Sequence, residues 1–193
     1  MTLLLALLAC NHGGVATGTP NAGVDTADTA DTADTAPQWT EDEALVRNLI
    51  AGDGTLEAVV HQVAWSGGFP VETAAGGWLF LVEGQGRTLA GDHNAWAESE
   101  MTAGTGFSWI EVQIDAPQGS KYKFGPTLGA DPSARSYTYD AFGEISFVRP
   151  PTSAPRLDRW PEVQAQGLAA RDLRVYVPGG MGPWPVLYAH DGQ

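Results

Sequence analysis

Between Arg87 and Phe124 the chain alternates its apolar and polar residues in twos, and that rhythm restricts the fold more than any other feature. Three short strands are predicted there, Arg87–Ala90, Phe107–Ile114 and Lys121–Phe124. Gly91, Asp92 and Asn94 fill the first gap, and Pro117 and Gly119 the second, which is turn chemistry. In the middle strand Phe107, Trp109, Glu111 and Gln113 alternate with Ser108, Ile110, Val112 and Ile114. Apolar residues leading one face predict a half-buried antiparallel strand.

The same period extends outward. Trp78–Glu83 and Arg87–Ala90 are expected to form a hairpin across Gly84-Gln85-Gly86, and Ser136–Tyr139 and Ile145–Val148 flank a turn over Asp140 to Gly143. Short strands at this spacing predict an antiparallel sandwich over residues 70–149. Ahead of it, Thr40 and Glu43 have the spacing of a helix-opening capping box. The helix it opens carries Ala44, Leu45, Leu49 and Ile50 on one face and ends at Gly52. A second helix carries Leu56, Val59, Val60 and Val63 and stops at Ser66-Gly67-Gly68. This helical pair, residues 39–69, needs to bury its stripes, most simply on the sheet that follows. His61 lies off the stripe and reads as a surface histidine.

The words GDHNAW and SKYKF resemble the early-set, immunoglobulin-like glycogen-binding module of the AMP-activated protein kinase β subunit and of starch-branching enzymes. The same module precedes the catalytic domain of enterochelin-esterase-like enzymes. The resemblance covers roughly Trp78 to Val148 and implies sugar binding through an aromatic face and a lysine. Trp96 and Lys123 match those two positions. Gly125 to Gly129 stand where the family has a second tryptophan, and Phe142 to Ser146 where it has an asparagine. The structural alternative packs Trp96 over the sheet and leaves Lys123 solvated.

Arg149-Pro150-Pro151-Thr152-Ser153-Ala154-Pro155 begins a stretch, residues 150–171, expected to be a stiff linker. Behind it Asp172–Val177 and Trp184–His190 read as apolar strands around PGGMGP. They resemble the opening strands of the α/β-hydrolase domain of enterochelin-esterase-type enzymes. That resemblance implies an oxyanion-hole donor among Asp191, Gly192 and Gln193, with serine, aspartate and histidine lying downstream. No G-x-S-x-G occurs; Gly106-Phe107-Ser108-Trp109-Ile110 lacks the last glycine and sits within a strand. The 193 residues are therefore expected to be catalytically incomplete.

The expected fold class is mainly β: an immunoglobulin-like (early-set) sandwich, a short N-terminal helical pair, and the truncated first strands of an α/β-hydrolase domain over residues 172–193. The expected function is the N-terminal fragment of a secreted or lipid-anchored serine esterase. The alternative is a non-catalytic carbohydrate-binding or scaffold lipoprotein whose last strands extend the sandwich.

The N-terminus supports a membrane partner. Leu3 to Ala9 form an apolar run ending at Cys10, resembling the lipobox of bacterial lipoprotein signal peptides. The run over residues 1–10 is too short to span a bilayer, so lipidation of Cys10 is the expected anchor, in the cell envelope and at the outer membrane. Residues 11–38 hold DTA four times between Asp25 and Ala36. Few apolar side chains and an acidic excess predict a spacer; the aspartates lack the glycine turns of a calcium loop. With a net charge of −13 no nucleic-acid partner is expected. A single cysteine excludes an internal disulfide. His12, His61, His93 and His190 are scattered, so no metal and no cofactor are expected.

Overall fold

A computed structural model describes residues 38–164 and 166–185. Cys10, the DTA spacer up to residue 37, Asp191, Gly192, Gln193 and all but the first two residues of the expected Trp184–His190 strand lie outside them. The described chain is mainly β, with two helices and two antiparallel sheets.

Helix α1 (Glu41–Ala51) starts where Thr40 Oγ1 accepts the Glu43 N–H at 3.1 Å and ends on Gly52 at φ +101°. Helix α2 (Leu56–Ser66) is capped the same way, Thr55 Oγ1 accepting from Ala58 N at 3.3 Å. Capping residues satisfy N–H groups that a helix start leaves free. The strands follow in order: β1 (Val71–Glu72), β2 (Trp78–Glu83), β3 (Thr88–Gly91), β4 (Ser99–Glu100), β5 (Thr102–Ala103), β6 (Phe107–Val112), β7 (Lys121–Gly125), β8 (Ser136–Asp140), β9 (Gly143–Phe147), β10 (Arg156–Val163) and β11 (Arg171–Val177). The smaller sheet runs β1-β2-β6-β5 and the larger β11-β10-β8-β9-β7-β3-β4.

Three layers result. Val46, Leu49, Val59 and Val63 of the helices pack on Leu79, Leu81 and Phe107 of the smaller sheet. From that sheet's other face, Trp78 and Phe80 meet Leu89, Tyr122 and Phe124 of the larger one. The Phe80 and Tyr122 rings meet edge to face, centroids 4.9 Å apart, an arrangement that adds about 0.5–1.5 kcal/mol beyond burial. The helical pair thus lies on the sheet, as its two stripes require, although Val46 rather than Ala44 leads the stripe of α1.

Three expectations change. β2 and β6 are covered on both faces, not one, because the helices occupy the side that a lone sandwich leaves to water. β2 and β3 form no hairpin: β2 pairs with β1 and β6, while β3 pairs with β4 and β7. The connection holds Gly84 and Gly86 at φ +91° and +66°, and such backbone freedom carries the chain across to the other sheet. The third change concerns residues 150–171, where β10 replaces the expected linker. β10 was illegible because its residues, RLDRWPEV, present no apolar face. Pro161 sits at a register shift between Trp160 and Val163, a place where a strand tolerates a missing N–H.

β11 pairs with β10 at six positions, from Arg156↔Val177 to Val163↔Arg171. β10 pairs with β8 at two, Leu157↔Tyr137 and Asp158↔Ser136, and Arg159 extends the border, its N–H donating to the Arg135 carbonyl at 2.8 Å and its guanidinium to the Asp131 and Ala134 carbonyls. Asp172–Val177 is therefore a strand, as its apolar text predicts, and the outer strand of the larger sheet.

Candidate functional site

The two residues carried over from the glycogen-binding resemblance sit in different surroundings. Trp96 is 38% exposed, and its Nε1 donates to Asp92 Oδ1 at 2.9 Å. Ala95 and Trp96 both hold left-handed backbone (φ +52° and +63°), which swings the indole out from the turn after β3. Asp92 Oδ2 also accepts from Lys121 N at 2.8 Å, tying that turn to β7. Lys123, by contrast, is buried, and its Nζ donates to the Phe142 carbonyl at 2.9 Å. The expectation of a solvated Lys123 is corrected: the ammonium holds the β8–β9 turn in place. No hydrogen bond among the described residues links Trp96 with Lys123. The oxyanion candidates Asp191, Gly192 and Gln193 and the lipidation candidate Cys10 lie outside the described residues.

A cleft that the sequence did not announce lies between α2, the loop before β8, and the β10–β11 hairpin. Its volume is about 380 Å³. Val60, Ala64, Trp160 and Leu173 supply apolar walls, and His61, Arg135 and Glu162 supply polar groups. Pockets of this size, mostly apolar with a few convergent polar groups, are where small molecules bind.

Arg135 forms the polar floor. Its Nη1 donates to the Arg159 carbonyl at 2.8 Å and its Nη2 to the Ala64 carbonyl at the end of α2. The guanidinium carbon lies 3.7 Å from the centroid of the Trp160 ring, a cation–π contact. Burial lowers the pKa of Arg135, and the charge of Asp158 pulls the other way. Gly68 explains how the loop fits: a Cβ there would fall 2.5 Å from Arg135 Cβ, at a φ of +77°.

His61 Nε2 lies 2.8 Å from Glu162 Oε2 at the rim. Both side chains are about half exposed, so the contact contributes position more than stability. Glu162 takes left-handed backbone (φ +48°) at the bulge of β10, and its N–H donates to Asp172 Oδ1 at 3.0 Å. Strain of that kind gathers at functional sites. The sequence placed His61 on the surface, and there it stands. Its partner lies 101 residues on, in a strand with no legible pattern, so no local signal could pair them.

Two polar groups are enclosed elsewhere. Asp131 accepts from the Tyr122 hydroxyl at 2.6 Å and from Ser133 N at 2.7 Å. Burial nevertheless pushes its carboxyl up to about 6, against those hydrogen bonds and the charge of Arg159. Burial also lowers the pKa of His93, with Asp92 opposing. Neither ring nitrogen of His93 has a hydrogen-bond partner among the described residues.

Among the described residues no group of three or more His, Cys, Asp and Glu side chains could hold a metal ion. No described helix is long and apolar enough to cross a membrane. No protein-family model matches the chain, and no curated protein is similar to it.

Proposed function

We propose that these residues form the accessory part of a lipid-anchored carboxylic-ester hydrolase. They resemble the early-set module and opening strands of enterochelin-esterase-like enzymes, in which the sandwich positions substrate or covers the catalytic cleft. One observation carries the reading. The interior between the sheets is filled by side chains such as Phe80, Tyr122 and Tyr137, all fully buried, yet Leu173, Val175 and Tyr176 of β11 are exposed on the outermost strand. An edge strand with an apolar surface calls for further strands or covering helices. Within the larger sheet the hairpin makes six pairs of its own, and Arg159 ties it to Arg135, Asp131 and Glu144 of the sandwich.

The chain's own chemistry is limited to positioning. Hydrolysis through a serine requires a nucleophile, a base and an orienting carboxylate, and the resemblance puts all three downstream of Gln193. The 193-residue chain should show no turnover of a nitrophenyl ester above buffer. A frame read beyond the Gln193 codon should encode a glycine-flanked serine, and its product should hydrolyse the ester. Turnover by the 193-residue chain, or a frame without such a serine, defeats the proposal. Anchoring at Cys10 predicts incorporation of an acyl-chain analogue that Cys10→Ala abolishes; an unlabelled wild type removes the anchor.

A second reading, a carbohydrate-binding or scaffold lipoprotein, is favoured by the place of Asp172–Val177 in the same sheet as β7, β8 and β9. In that reading the exposed Trp96 carries the sugar contact without Lys123. Glucan pull-down decides it: equal retention of wild type and Trp96→Ala takes Trp96 out of any site.

A further inference from the structure

We propose that the cleft between α2 and the β10–β11 hairpin binds a small organic monocarboxylate with an apolar body. Its 380 Å³ suits a single ring or a short branched chain laid against Val60, Ala64 and Leu173. The anion's partner is Arg135. Of the cations around the cleft, Arg159 is paired with Glu144 and Arg174 is exposed to water. Arg135 is partly withdrawn from water, and no carboxylate among the described residues lies within 4 Å of it. Its two described hydrogen bonds go to carbonyl oxygens, which offset little of its charge. A guanidinium has five N–H donors, so donors remain for a carboxylate, whose planar fork they match.

The rim sets the charge of the ligand. Glu57, Glu162 and Asp172 also line the cleft, and the chain carries a net −13. Arg135 balances one negative charge; a second would face Glu57, Glu162 and Asp172, with Arg159 already paired to Glu144 and Arg174 open to water. Glu162, at left-handed φ, and His61 meet at the mouth, 2.8 Å apart.

The binding needs no turnover, and it stands or falls separately from the hydrolase reading, which the downstream frame decides. Titration of the 193-residue chain with benzoate, its neutral amide benzamide, and phenyl phosphate, followed by calorimetry or by ¹⁵N shifts of residues 60–64 and 159–162, is the test. Benzoate should saturate the protein with an affinity at least tenfold above that of benzamide and above that of phenyl phosphate at pH 7.5. Arg135→Gln, with its circular dichroism unchanged, should lose the difference between acid and amide. Val60→Trp fills the cleft and leaves Arg135 in place, so it should lose benzoate even if the arginine variant does not fold. No saturation by benzoate, equal binding of benzamide, stronger binding of phenyl phosphate, or benzoate affinity retained in Val60→Trp each overturns the proposal.

Discussion

The Tyr122 hydroxyl donates to Asp131 Oδ2 across 2.6 Å inside the core, and both side chains are closed off from water. The bond links the middle of β7 to the loop before β8. Ser146 Oγ accepts from Asp131 N at 2.9 Å, which adds β9 to the same knot. Tyr122→Phe leaves one carboxylate oxygen buried without its donor, so urea unfolding should show a loss of about 1–3 kcal/mol. An unchanged midpoint would mean that water replaces the hydroxyl.

Asp131 also predicts a pH slope. Its folded pKa of about 6 lies above the ordinary 3.8, so the folded state holds the proton more tightly than the unfolded chain. The stability this confers is complete below about pH 4 and is lost as pH rises through 6, by about 3 kcal/mol in all. Asp131→Asn should remove that slope from urea midpoints measured at pH 4.5 and 7. A slope surviving in the variant assigns it to another group.

His93 acts in the opposite sense. Its pKa is lowered by burial, so the unfolded chain takes up the proton first and stability falls as pH drops through the ordinary imidazole range near 6.5. The ring stacks on Phe80 with centroids 6.2 Å apart, and its nitrogens gain no protein partner. His93→Phe should melt at or above the wild-type temperature at pH 7.5, with its margin growing at pH 5.5. A margin that shrinks on acidification refutes the assignment.

Arg47 joins a helix to a sheet through two carboxylates, Glu43 at 3.0 Å and Glu111 at 2.8 Å. Glu43 is 1% exposed, and its other oxygen accepts from Ala74 N at 2.7 Å. Removing the guanidinium leaves a buried charge with one neutral donor. Arg47→Ala should therefore cost about 3 kcal/mol, and Arg47→Ala combined with Glu43→Gln should recover part of it. Additive losses in the double variant would show that the pair is uncoupled.

The C-terminal hairpin should open to protease first. Residues 166–170, exposed between β10 and β11, have little protection. Limited digestion with a non-specific protease should cut there while β2, β6 and β7 stay intact. Cleavage within those strands at the same rate would show that the hairpin is as firmly held as the sandwich.

The elements that the sequence announced are those whose pattern is local. Thr40 and Glu43, Gly52, and the alternation of Phe107 to Val112 each declare a helix start, a helix stop and a strand within a few residues. What stayed hidden depends on layers meeting. That Glu111 serves as an anchor for Arg47 requires knowing that α1 covers β6. The buried state of Lys123 depends on the carbonyl of Phe142, nineteen residues later. Arg156 to Val163 mix charged and apolar residues without a period of two, so no face of β10 is written into the text. The cleft draws its residues from three such places, α2, the loop before β8 and the β10–β11 hairpin, so no local pattern announced it.

The seam between Tyr137 and Leu157 has a mechanical consequence. A load applied at Val177 passes first along the six ladder positions that β11 shares with β10, and only then into the border with β8. Arg159 rivets that border from within, through the Asp131 and Ala134 carbonyls and Glu144, so the hairpin and the layered body will turn together as one piece.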